Sequence, residues 1–219
     1  LRLTVYGRSV VLKALIITLA LDIIAVLIPV LWVKLALLII SVLLFGFTVF
    51  FFRDPIRKLP DGLKGNELIS PADGKVMLIQ EVDENVFLKT KAKLIAIFLS
   101  PLNVHVNRIP VSGRVDHLRY VEGGYVAAFN HKSSEKNERT EIGITGADFR
   151  ILFRQVAGYV ARRIVCTIKQ GDNVRIGEKF GMIKFGSRVD VVIPERSVVR
   201  VSVNQRVIGG ETILAELYA

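Results

Sequence analysis

Two long apolar stretches open the chain and constrain its fold more than any other feature. Residues 14–32, ALIITLALDIIAVLIPVLW, carry one charge, and residues 35–52, LALLIISVLLFGFTVFFF, carry none. Each approaches the ~20 apolar residues with which a helix crosses a bilayer's hydrocarbon core. A secretory leader would carry one shorter apolar core and a small-residue cleavage site, which this pair does not resemble. Residues 1–52 read as a helical hairpin, transmembrane or re-entrant, with Val33 and Lys34 as its turn. Arg2, Arg8 and Lys13 precede the hairpin, and Arg53, Arg57, Lys58 and Lys64 follow it. The positive-inside rule then puts both ends, and everything after them, at the cytoplasmic face of the cell membrane. Asp22 is costly inside such a helix and is expected to face its neighbour helix, water or another subunit. Pro29, toward the end of the first stretch, can end or kink a helix there with little loss.

The linker RDPIRKLPDGLKGN, residues 53–66, separates the hairpin from residues 67–219. Of the 30 basic and 20 acidic residues, 26 and 19 follow Phe52, a net charge of +7 beyond the hairpin. A basic domain tethered to a membrane suits the anionic cytoplasmic leaflet. Neither a recognition helix nor a stacking-aromatic motif accompanies the charge, so nucleic acid is not an expected partner. Cys166 is the only cysteine. It cannot form a disulfide within the chain, and its apolar run RRIVCTI marks it as a structural thiol.

Beyond the linker the pattern changes to short apolar runs bounded by turn residues. Strands are expected at 75–81, 86–90, 93–99, 114–121, 149–156, 163–169, 188–193 and 198–203, several with the period of two that marks a half-buried strand. Only 157–163 looks briefly helical. The phrase SPADGKV at 70–76 echoes as IPVSGRV at 109–115, and QGDNVRIGEKF at 170–180 has a strand–turn–strand rhythm. The expected fold for 67–219 is therefore mainly β, a barrel-sandwich-like arrangement of short strands.

Three polar stretches interrupt this β pattern: SPADG at 70–74, SPLNVHVNRIP at 100–110 and KFGSR at 184–188. Together they supply Asp73, His105 and Ser187 on separate segments, the way a nucleophile, its base and an orienting carboxylate are commonly delivered. Each alone has a plainer reading: Asp73 and the Gly186-Ser187 pair as turns, His105 as a structural histidine. His117 reads as a sheet residue, and His131 opens a polar loop. The three histidines are too scattered to suggest a metal site.

The set SPADG, VHVNRIP, Asn137 to Arg139, RQVAGYVARRI and above all KFGSRVDVVIP, behind a membrane hairpin, resembles the short form of the phosphatidylserine decarboxylase family. The resemblance runs from the hairpin to about residue 194. It implies a self-cleaving, pyruvoyl-dependent membrane enzyme. In that scheme Ser187 Oγ attacks the Gly186 carbonyl, the amide becomes an ester, and β-elimination releases the preceding chain as a carboxylate. Hydrolysis of the remaining dehydroalanine, with loss of ammonia, leaves a pyruvoyl group, and the products are chains 1–186 and 187–219. Glycine leaves the attacked carbonyl accessible. The pyruvoyl ketone forms a Schiff base with the serine headgroup and accepts the electrons released with carbon dioxide, as pyridoxal phosphate does.

The resemblance further implies His105 as the acid that returns a proton and Asp73 as a maturation carboxylate. Arg188, beside the pyruvoyl group, and Arg108 are assigned to substrate binding. Where longer members have Tyr-His-x-x-His-x-Pro, this chain has Arg108 at the second histidine, which leaves the cleavage base to His105 or Asp73. Longer members read Leu-Gly-Ser-Thr at the cut, and here it is Phe185 to Arg188. The implied partners are phosphatidylserine or archaetidylserine, which share a phosphoserine headgroup, an anionic membrane and the two cleaved chains for each other; a homo-oligomer stays open. Two other classes are weighed. A membrane-tethered biotinyl- or lipoyl-like carrier would use Lys184 of GMIK, but it lacks the second methionine of that hairpin. A triad hydrolase would need a Gly-x-Ser-x-Gly elbow, which the sequence around Ser187 does not provide.

Overall fold

A proline decides where the two apolar helices separate. The computed structural model describes residues 2–124, 137–158, 163–184 and 187–218. Helix α1 spans Arg8–Leu27 and helix α2 spans Leu31–Phe51. The chain turns at 28–30, before the expected Val33-Lys34. Pro29 lacks an N–H and disfavours helical backbone at the residue before it. Ile28 is accordingly extended, with φ −81° and ψ 125°. Lys34 falls in the first turn of α2, its N–H bonded to the Val30 carbonyl at 3.1 Å.

Small side chains make the contact between the helices. Ala14, Thr18 and Ala25 of α1 and Ser41 of α2 are buried, and Ser41 Oγ donates to the Thr18 carbonyl at 3.3 Å. Such residues let helix backbones approach where lipid supplies no hydrophobic drive. Asp22 is half-buried. Outward the pair displays large apolar groups, Leu27, Trp32 and Val42 among them, and both helices are long and apolar enough to cross a bilayer. An exposed apolar surface of this kind suits lipid. The helices lie in one compact unit, Leu1–Pro55, and Ile56–Ala219 form a second.

The second unit is mainly β, as the sequence implies. Its strands among the described residues are β1 (Glu67–Ile69), β2 (Gly74–Glu84), β3 (Thr90–Leu99), β4 (Val106–Arg108), β5 (Gly113–Val121), β6 (Arg139–Thr145), β7 (Arg150–Ala157) and β8 (Ile164–Cys166), followed by β9 (Asn173–Val174), β10 (Lys179–Ile183), β11 (Ser187–Pro194), β12 (Val198–Val199), β13 (Arg206–Val207) and β14 (Ile213–Glu216). A curled antiparallel sheet runs β13-β2-β3-β11-β7-β6-β5-β9, with small sheets β1-β14-β12 and β4-β10-β8. Strand alternation divides the residues of β11 between two faces. Val189, Val191 and Ile193 join the main core with Ile97, Ile151 and Phe153. Val192 points the other way, into a smaller cluster with Leu94 and Leu152.

The echo noted in the sequence is structural. Gly74 opens β2 against β3, and Gly113 opens β5 against β6. A Cβ on Gly74 would strike the Phe98 carbonyl and the Ile97 side chain, and one on Gly113 would strike the Thr145 carbonyl and the Ile144 side chain. Their outer neighbours also match: Gly74 pairs with Val207, and Gly113 pairs with Val174. The strand order is thus nearly the same read from either end, with β11 and β7 side by side at its centre.

Two expectations change. Residues 85–88 form a turn where a strand is expected at 86–90, because the Glu84 carboxylate accepts the N–H groups of Val86, Phe87 and Leu88 at 2.8, 2.8 and 2.6 Å. A side chain that satisfies three backbone donors competes with the ladder for them. Strand β6, RTEIGIT, has no counterpart among the expected strands. Residues 159–162, where a helix is expected, lie outside the described residues.

Candidate active site

Three strand ends meet where the polar phrases lie. Ser187 is the first residue of β11 and pairs with Leu99, the last residue of β3, on one side and with Ala157 on the other. Beyond Leu99 the chain turns at Ser100–Asn103, closed by Asn103 N–H to the Ser100 carbonyl and Ser100 N–H to Asn103 Oδ1, each 2.9 Å. That turn delivers His105. Asp73 immediately precedes β2, whose start pairs with the end of β3. Asp73, His105 and Ser187 are therefore carried to the same end of the curled sheet, and Gly186 lies outside the described residues.

Ser187 is fully buried, and its Oγ has no hydrogen-bond partner among the described residues. Buried hydroxyls are rarely left so, and an exception points to chemistry or to an absent group. The residue alternates with Arg188, so its side chain shares the main-core face with Val189. His105 is fully buried too. Its Nδ1 lies 2.9 Å from the Asn103 carbonyl, and since a carbonyl only accepts, Nδ1 carries the proton and Nε2 is the basic nitrogen.

Asp73 is held by groups the sequence did not connect to it. Arg57 Nη2 donates to its Oδ2 at 2.6 Å, and the Gly209 N–H donates to its Oδ1 at 2.8 Å. These two bonds fix the carboxylate in a half-buried turn. The SPADG turn is tied to the histidine phrase by the Arg108 N–H, which donates to the Pro71 carbonyl at 2.9 Å. Arg108 itself is nearly buried, and its Nη1 donates to the Gly177 carbonyl at 3.0 Å. Strand β4 in turn pairs with β10, Val106 opposite Met182, so the histidine phrase also borders the strand that leads into the Gly-Ser break.

Arg188 does not share a face with Ser187. Alternation sends its side chain to the face opposite Ser187, where it is 1% exposed and ion-paired with the fully buried Asp190. Nor is it a solvated charge at a strand edge, since β11 lies at the centre of the sheet. The pair borders a 320 Å³ cavity on that reverse face, with Glu84, Arg139, Glu141 and Arg154. Glu141 accepts from Arg139 at 2.9 Å and from Arg154 at 3.3 Å. Glu84 titrates below the usual carboxylate range: burial raises it, but the three backbone N–H bonds and Arg154 outweigh that.

Lys184, the residue a carrier domain would modify, is half-buried. Burial, with Arg163 nearby, pushes its ammonium pKa down. A carrier lysine must stand clear at a hairpin tip, and this one does not. Cys166 is half-buried, and burial pushes its thiol up. His117 lies on β5 with Nε2 3.9 Å from Glu141, and His131 is outside the described residues. Among the described residues no group of three His, Cys, Asp or Glu side chains could hold a metal ion.

Sequence reasoning passed over Asn107 and Gln155. Both are fully buried, and Gln155 Nε2 donates to Asn107 Oδ1 at 2.8 Å and to the Val165 carbonyl at 3.3 Å. A polar residue at a core position of an alternating strand was the available signal. Asn137 Nδ2 donates to the carbonyl of Ala157, the residue opposite Ser187, at 2.7 Å.

The chain thus combines a pair of apolar helices, a curled antiparallel β unit and, at a strand start, a buried serine whose Oγ has no partner among the described residues. The sequence profile of the phosphatidylserine decarboxylase family matches residues 44–215. A phosphatidylserine decarboxylase proenzyme of Pelodictyon phaeoclathratiforme is 45% identical over 212 residues, covering 97% of this chain and 98% of its own length. Proenzymes of the same name from Chlorobium luteolum and Chlorobaculum parvum are 47% and 51% identical, over 97% and 84% of this chain and 99% and 85% of their own. The chain belongs to the phosphatidylserine decarboxylase family and is an enzyme of the decarboxylase class.

Proposed function

We propose that this enzyme cleaves itself between Gly186 and Ser187 and then decarboxylates phosphatidylserine, or its archaetidyl counterpart, to the ethanolamine lipid at the cytoplasmic membrane face. One observation carries the reading: Ser187 Oγ is buried without a partner among the described residues, at the Gly-Ser break. A hydroxyl left so at the edge of an apolar core is suited to attack the adjoining carbonyl, and it fits a group that Ser187 itself would become. The pyruvoyl group so formed supplies the electron-accepting carbonyl that no side chain offers.

The chain's own residues do the rest. His105 Nε2 is the basic nitrogen at this end of the sheet, able to take the Ser187 hydroxyl proton in maturation and to return a proton to substrate carbon in turnover. Asp73, fixed by Arg57 and Gly209, contributes a negative charge that favours the protonated imidazole as it forms. Arg108, a cation of the histidine phrase tied to the SPADG turn through its N–H, is assigned to the headgroup phosphate. The basic surface and the helices keep the enzyme on an anionic membrane. Chains 1–186 and 187–219 stay together because β11 is paired on both sides.

Release of carbon dioxide from phosphatidylserine vesicles tests the reading. The wild-type chain is expected to release it and Ser187→Ala to release none, remaining full-length on a gel. Turnover by the alanine variant would overturn the proposal.

A further inference from the structure

Beside Ser187 the core holds two more polar atoms with no partner among the described residues, Asn107 Nδ2 and Gln155 Oε1. Gln155 pairs with Val189 and shares its face, so it is the diagonal neighbour of Ser187, with Cα atoms on the order of 7–8 Å apart. A glutamine side chain spans that gap. Its amide is oriented by two acceptors, Asn107 Oδ1 and the Val165 carbonyl, which both take Nε2 hydrogens. Oε1 is therefore the atom left over, and Asn107, having given its oxygen, is left with its NH2. The pair thus presents one donor and one acceptor, both desolvated, on the side of the sheet where Ser187 lies.

A purely structural amide pair in a core would have its hydrogen bonds closed. One open donor and one open acceptor match the two groups on the α-carbon of an amino acid, a carboxylate and an amine. We propose that Asn107 and Gln155 read the serine headgroup, Asn107 Nδ2 donating to its carboxylate and Gln155 Oε1 accepting from its amine. This rests on the decarboxylase reading above and names two residues for it. Neutral amides suit the task better than a guanidinium would. The carboxylate loses its charge as carbon dioxide leaves, so a cation fixed on it would stabilise the bound ground state more than the transition state. Arg188, paired with Asp190 on the reverse face, is kept away from it.

The test uses full-length, self-cleaved protein in detergent and two soluble probes, glycerophosphoserine and glycerophosphoethanolamine, which differ only by the carboxylate. Apparent affinity is read from the Tm shift each produces, alongside the KM for phosphatidylserine. Asn107→Asp places an anion where the substrate carboxylate docks. It is expected to weaken the serine probe at least about tenfold without weakening the ethanolamine probe. The double variant Asn107→Leu with Gln155→Met replaces both amides by apolar groups of similar shape, which a fold tolerates better than one lost partner. It is expected to cleave, to unfold cooperatively and to lose discrimination between the probes. Unchanged discrimination in either cleaved variant would overturn the assignment. So would a folded double variant that stays uncleaved, which would put the pair in the serine's own reaction, or loss of cooperative unfolding in both variants, which would make it structural. A wild-type chain that neither cleaves nor decarboxylates would instead sink the reading on which the assignment rests.

Discussion

Neighbouring residues on β11 have unlike tasks because a strand sends them to opposite faces. Ser187 reaches the main core and Arg188 the reverse face. Removing one partner of a buried ion pair such as Arg188–Asp190 typically costs about 3–5 kcal/mol. Arg188→Met is therefore expected to lower the Tm of the full chain sharply, and Arg188→Met with Asp190→Leu to recover much of the loss. Equal destabilisation by the single and double variants would show that the pair is not coupled. Cys166 makes a milder case. Burial raises its thiol pKa, so little thiolate forms near neutral pH and iodoacetamide should label it slowly until the protein is denatured. Rapid labelling of the native protein would contradict that placement. Ser187, His105 and Asp73 stand out as candidates because each stands in a polar phrase that breaks the β pattern. The separation of Arg188 from Ser187 was legible too, since period-two alternation already sends the two to opposite faces.

Elements show where periodicity is a sufficient guide and where side-chain bonding overrides it. Long alternating runs such as KLIAIFL and SRVDVVIP mark β3 and β11 directly, and the length and composition of the apolar stretches mark both helices. The turn at 85–88 was hidden because Glu84 captures three backbone donors, a non-periodic effect. The Arg57–Asp73 contact was equally hidden, because nothing in a linker's composition tells which of its cations folds back. Asn107 and Gln155 were passed over, because their bond joins β4 to β7, strands far apart in the sequence. Glu84 offers a pH test. Its folded carboxyl titrates below the unfolded one, so its contribution is present above the ordinary glutamate value and fades as pH falls through the folded pKa. Glu84→Gln should thus lose about 1–2 kcal/mol at neutral pH, with the gap to wild type narrowing in acid. A gap that widened in acid would reverse the sign of this argument. Gly74→Ala should cost about 1–3 kcal/mol, because the added methyl meets the Phe98 carbonyl rather than a side chain that can turn aside. A neutral effect on Tm would mean that β2 can shift away from β3.

The whole molecule joins a lipid-suited helix pair to a β unit whose strand order is nearly symmetric about β11 and β7. That symmetry does not extend to the residues at the strand starts. Gly74 and Gly113 open equivalent strands, yet Asp73 stands before the first and Ser112 before the second, and Ser187 begins only one of the two central strands. The echo of SPADGKV in IPVSGRV is enough to suspect such a duplication, but its extent depends on long-range pairings, such as Gly74 with Val207 and Gly113 with Val174, that no local pattern reports. With the helices embedded, the full chain should float with vesicles and resist extraction by high salt or alkaline carbonate, yielding only to detergent. Release by salt alone would show adsorption through the basic surface. The central claim is that Ser187 is a buried nucleophile poised to convert its own backbone into the reactive group. Intact mass measurement of the denatured, purified chain tests it most directly. The account predicts two fragments, 1–186 and 187–219, the smaller lighter by one ammonia than its sequence requires and without a free amino terminus. A single full-length mass, or a small fragment that keeps its ammonia, would contradict it.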